Sequence, residues 1–314
     1  MALKQVLEIL DLLECAMIEE EIVENYFLGK GLAKQNLELQ AVKGEKGETT
    51  FVKIQIHGTD GRAGGGQSPT LGIIGRLGGI GARPDKIGLV SDADGAIAAL
   101  ACASKILDLY RKGDRLKGDV IISTHLSPSS PIIPHDPVPF MDAPITIETM
   151  NKYEVDERME AILSVDATKG NRVINRRGFA ISPTVKNGYI LRISEDLLDI
   201  MQAATGKLPE VFAITQQDIT PYGNDLYHLN SIMQPATATQ APVVGIAITS
   251  EVAVAGCATG ANQCLDIEMA VRFMVEAAKA WGLNQCSLYD EQEFQRLLSL
   301  YGSLDHFKIL GIKG

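Results

Sequence analysis

Short β-branched runs that alternate with longer stretches of helical period constrain this chain most. FVKIQI (51–56), GDVIIST (118–124), MEAILSVDA (159–167) and APVVGIAIT (241–249) have strand length, and each gives way to polar and turn residues. Between and after them, DGAIAALACASKILDLYRKG (94–113), SEDLLDIMQAATG (194–206) and LDIEMAVRFMVEAAKAWG (265–282) repeat apolar residues at helical spacing. IGLV (87–90) and LPEVFAIT (208–215) read as further strands, and NDLYHLNSIM (224–233) and EQEFQRLLSLYG (291–302) as further helices. Strands joined through crossover helices predict an α/β fold, a three-layer α/β/α arrangement around a mainly parallel mixed sheet.

One domain spanning 1–314 is expected, with amphipathic helices in 1–35 and a proline-rich loop at 127–144 that admits neither helix nor central strand. The formal charge of -10 excludes the basic stripe that nucleic acid requires. Five cysteines at wide spacings form neither a disulfide framework nor a metal knuckle, which points to a reducing, cytoplasmic setting. Acidic residues interrupt every apolar run of the N-terminal stretch, and no later run reaches the roughly 18 residues of a membrane span. The expected partners are a small or short peptide-like ligand and a second copy of the chain, reached through the N-terminal helices; neither nucleic acid nor membrane is expected.

In such sheets ligands sit beyond the carboxyl ends of the strands. Taking those ends in turn gives His57 after FVKIQI, Asp92 and Asp94 after IGLV, His125 after GDVIIST, and Asp166 in SVDA. Imidazole with carboxylate suits zinc or manganese; strand-capping residues are the alternative for each alone. The metal reading takes His57, Asp92, Asp94 and Asp166 as ligands, with His125 and Asp60 beside them in catalysis, Asp60 orienting His57. The loop GTDGRAGGGQSP (58–69) lacks the ending of a P-loop, and no dinucleotide fingerprint follows, so no nucleotide cofactor is expected. Arg62 in that loop is a candidate anion fork, with Asp218 and Asp225 of QQDITPYGND and the strand-exit Cys257 as further ligand-binding candidates.

The order of these pieces resembles the zinc aminopeptidase clan, particularly its leucyl and tetrahedral aminopeptidase group, over most of 40–285. There a strand ends in H-x-D, a bridging aspartate precedes a glycine and a long helix, and paired glutamates, a V-D strand and a last histidine follow. His57, SDADGAIAALACASKIL and SVDATKGNR resemble the first, second and fourth of these. The chain departs where IISTHLSPSSP replaces the glutamates and EVAVAGCATGANQ the histidine. In wording, GGGQSPTLGIIGRLGGIGARP, VSDADGAIAAL, QDITPYGNDLYHLNSI and GCATGA resemble a bacterial and archaeal family of unknown function, domain of unknown function 1177, over nearly the whole chain. The peptidase resemblance implies a metal-dependent hydrolase of small amide or peptide-like substrates with an altered metal site. Its departures imply the alternative, a non-catalytic relative that binds a small anionic ligand.

Overall fold

The computed structural model describes residues 1–16, 18–76, 78–214 and 231–308. Two helices, α1 (Leu3–Leu13) and α2 (Glu20–Gly29), precede a hairpin of β1 (Leu37–Gly44) and β2 (Gly47–Ile56). Then follow β3 (Leu71–Gly75), α3 (Asp94–Arg111), β4 (Val120–Leu126), the two-residue strands β5 (Ile132–Ile133) and β6 (Phe140–Met141), and α4 (Ile147–Glu154). The second half holds β7 (Ala161–Ala167), β8 (Gly178–Ile181), β9 (Val185–Lys186), β10 (Tyr189–Ile190), α5 (Glu195–Thr205), β11 (Val243–Thr249), α6 (Cys264–Gly282) and α7 (Glu291–Tyr301).

The main sheet runs β1-β2-β4-β3-β7-β11-β9-β10, with β8 also paired to β11. β3, β4, β7 and β11 are parallel to one another, and every residue of these four strands but Ala167 is buried. Strands covered on both faces are continuous apolar runs of this kind. Helices α1, α3, α5 and α6 share the large apolar cluster on one face. On the other, the 3-10 turn Ser231–Thr237 covers a smaller cluster that includes Ile74, Ile162, Met233 and Val243, and α4 packs through Met150 on Phe51 and Ile145. The architecture is α/β with a mixed, mostly parallel sheet.

Local sequence explains the helix ends. Ser194 accepts a hydrogen bond from the Leu197 amide, and Gly206 closes α5 at φ 69°, so cap and stop lie where the pattern places them. Gly95, in the first turn of α3, lies so close to the sheet that a Cβ there would stand 2.5 Å from the Arg76 carbonyl. Its bare backbone is what lets α3 press its N-terminus onto the ends of β3 and β7.

Two expectations about elements change, and a third lies mostly outside the described residues. IGLV forms no strand, Val90 making a single bridge; its place in the sheet is taken by Leu71–Gly75, just after the glycine loop. LPEVFAIT contributes, among its described residues, one bridge, Val211 to Ile181. NDLYHLNSIM lies mostly outside the described residues, and its last three residues open the 3-10 turn.

The N-terminal helices are used internally. Val6, Ile9 and Leu13 of α1 are wholly buried against α3 and α6, and Lys30, at the end of α2, bonds Glu8 and Asp108 at 2.7 and 3.0 Å. The apolar face of α1 is therefore packed on the chain's own core. Ile9→Ala should cost about 2–5 kcal/mol, as deletions of buried side chains do, measured by denaturant unfolding. Removal of residues 1–30 should yield unfolded or aggregated protein; a well-folded product of smaller assembly would contradict this packing.

Candidate functional site

The direction of β2 decides which candidates meet. β2 pairs with β4 antiparallel, Ile56 beside Val120 and Phe51 beside His125. His57 therefore emerges at the amino edge of the parallel strands, whereas His125 and Asp166 lie at the carboxyl edge. Six residues of strand, roughly 20 Å, separate the two levels. His57 thus does not join Asp92, Asp94 and Asp166 in one metal site. The cause is the hairpin turn at Glu45–Lys46: it returns β2 against β1 before the sheet begins its parallel run, a reversal the apolar pattern of FVKIQI does not encode.

At the amino edge the glycine loop wraps the chain's own anion. Asp119, directly before β4, accepts from the amides of Gly58 and Ala63, both at 2.8 Å, and a Cβ on Gly61 would fall 1.9 Å from its Oδ1. The loop is a nest already filled by Asp119. Asp60 accepts from the Ser68 hydroxyl at 3.1 Å and so ties the loop's two ends; it does not orient His57. Half-exposed His57 has Nε2 3.1 Å from Asn36 Oδ1 and Nδ1 3.9 Å from Asp119. Arg62, 49% exposed, reaches Glu160 and Gln67 only through contacts of 3.4–3.5 Å. His57, Arg62, Asp119, Glu157, Arg158 and Glu160 line a cleft of about 320 Å³ floored by Ile56, Val120 and Ile121. Arg158 is already bound to Asp156 through two 2.8 Å contacts, and its bonds draw the Asp156 carboxyl below its ordinary range.

At the carboxyl edge the residues are closed on one another. Arg76, wholly buried one residue beyond β3, donates to Glu154 Oε2 at 2.6 Å and to Gln234 Oε1 at 3.0 Å. The His125 ring lies 2.5 Å from the other Glu154 oxygen through Nδ1, and its Nε2 accepts from the Gly78 amide at 3.1 Å. Both ring nitrogens are engaged, so neither is free for substrate or metal. Burial pushes the Glu154 carboxyl up, yet Arg76 and His125 outweigh it and hold it below its ordinary range. Arg76 Nε and Gln234 Nε2 are buried without partners.

The Arg76 amide continues the ladder to the Val165 carbonyl at 2.8 Å, which sets Asp166 level with it; Asp166 accepts from Ser231 at 3.3 Å. Asp94 is fully buried, paired with Lys169 and bonded by Asn262 at 2.6 Å. Burial pushes its carboxyl above the ordinary range in spite of both. Asp92 lies against Gly256, whose carbonyl accepts from the Asp92 amide at 3.0 Å. Cys257 packs with Ala82, Val90 and Met141 in a small apolar cluster, apart from these ion pairs. Asp218 and Asp225 lie outside the described residues.

A metal pair on the aminopeptidase pattern does not fit these donors. Among the described residues no three His, Cys, Asp or Glu side chains converge, His125 has both nitrogens engaged, and Asp94 is taken by a lysine. Arg76, Glu154, Asp119 and Lys169 went unremarked in the sequence, although an arginine or aspartate bordering an apolar strand, as in GIIGR and GDVII, is a legible sign of a buried ion. A wider groove of about 1550 Å³ between α4, the β1–β2 turn and residues 237–241 is lined by the end of the proline-rich loop, Phe140 to Pro144, and contains none of the candidate site residues.

Fold and site together define an α/β protein with a polar cleft at one sheet edge and buried ion pairs at the other. The chain belongs to the family described as protein of unknown function (DUF1177), whose model matches residues 40–311. No curated protein sequence matches it. Among solved structures it is similar to an Acidobacteriales bacterium glutaminyl cyclase, 10% identical, over 90% of this chain and 94% of that one, with a TM-score of 0.47. A likeness of that degree carries no argument about chemistry.

Glu154→Gln should destabilise the fold by about 3–5 kcal/mol, because it strands the Arg76 charge. A carboxyl held low in the folded state stabilises above its unfolded value, about pH 4.3, and that stability is lost as pH falls through the folded one. Urea unfolding across pH 2–7 should accordingly give a flatter acid limb for the variant than for the native protein.

Proposed function

We propose that this protein binds a small anionic molecule in the cleft at the amino edge of its sheet, without a metal and without turning the molecule over. Arg62 supplies a planar fork for a carboxylate or phosphate, His57 lines the same cleft, and the Asp119-anchored loop fixes where Arg62 begins. The observation that carries the reading is the weak hold on Arg62. Exposed ion pairs are worth about 0–1 kcal/mol, so a ligand anion replaces Glu160 at little cost. The volume lies at the lower end of small-molecule sites, and the floor is apolar. The metal-dependent hydrolase reading lacks comparable support, since His57 stands on the opposite edge from Asp92, Asp94 and Asp166.

Melting curves with a panel of small carboxylates and phosphates, in excess chelator, test this. At least one should raise the melting point, approaching about 2.7 kcal/mol of stabilisation at a hundredfold excess over Kd, and Arg62→Ala should abolish the shift. If no member of the panel shifts the native protein, or the shift survives in Arg62→Ala, the reading fails.

A further inference from the structure

At the carboxyl edge, where the peptidase resemblance implies a metal pair, we infer that two buried protein cations, Arg76 and Lys169, stand in its place and neutralise the buried carboxylates Glu154 and Asp94. The strand that leads into the Asp92–Gly95 segment is β3, not β2. Where the resemblance asks for a metal-ligating histidine at such a strand exit, β3 delivers Arg76, with no exposed surface. Its guanidinium neutralises Glu154, a carboxylate from α4 wholly buried in the same cluster.

Lys169 follows β7, just past the SVDA motif, and its side chain is 4% exposed. It pairs with Asp94, the residue that opens α3. The next residue, Gly95, packs on the backbone at the end of β7: a Cβ there would stand 3.3 Å from the Asp166 Cα. A carboxylate buried in so dry an environment needs positive charge beside it to remain ionised. A divalent ion supplies it in metalloenzymes; here an ammonium does. A metal ion entering beside Lys169 would meet a like charge at contact distance in low dielectric, an interaction of several kcal/mol against binding.

Removing the ammonium should strand the Asp94 carboxylate. After chelator treatment and dialysis against manganese or zinc, the native protein should retain less than about a tenth of an ion per chain, since tightly held metal survives such handling, and show no melting shift. Lys169→Met should melt roughly 5 °C or more below it. The double variant Asp94→Asn, Lys169→Met should recover much of that loss.

Stoichiometric metal in the native protein overturns the inference, as does a Lys169→Met protein that is as stable as the native one. Should Lys169→Met fail to fold, the metal content of the native protein and the stability of the double variant decide the matter. These outcomes are independent of the anion cleft at the opposite edge.

Discussion

The buried Arg76–Glu154 pair holds together elements that share little else. Arg76 extends from β3 in the middle of the sheet, Glu154 ends α4, and Gln234 belongs to the 3-10 turn before β11. Through His125 the same carboxylate reaches β4. Apolar contact alone would let α4 and the 3-10 turn slide over the sheet, since it is non-directional; charge-assisted bonds with fixed forks do not permit that. Two unpartnered donors, at about 1–3 kcal/mol each, are the cost of this arrangement.

The sheet separates two kinds of electrostatics. At the carboxyl edge, charges are buried, paired and short of water. At the amino edge they are half-exposed, and the pairs are long and weak, apart from Arg158 with Asp156. Rigidity therefore belongs to the first edge and exchangeable contacts to the second. The glycine loop stands between these extremes: its amides are locked onto Asp119, while the Arg62 side chain it carries is loosely held.

Much of the architecture was legible. FVKIQI, GDVIIST, SVDA and VVGIAIT are strands, DGAIAAL and LDIEMAV lie in helices, and Ser194 and Gly206 bound α5, because these features rest on local periodicity and local hydrogen bonds. LGIIG was hidden because glycine and proline surround it and it is only five residues long. Of the site, the residue types at strand ends were legible, and their grouping was not. His57 follows a strand as clearly as His125 does, and nothing within six residues of either reveals that the two strands point in opposite directions.

The sequence by itself determined the alternation of strand and helix, the acidic surface, and which polar residues sit where strands stop. Those properties depend on neighbours within one or two turns of chain. The tertiary structure alone decided that β2 runs antiparallel to β4, that the glycine loop encloses Asp119, and that Arg76 and Lys169 meet Glu154 and Asp94 over 78 and 75 residues of separation. Charge pairing in a dry interior is set by which side chains packing brings together, and that depends on strand order and direction rather than on any motif.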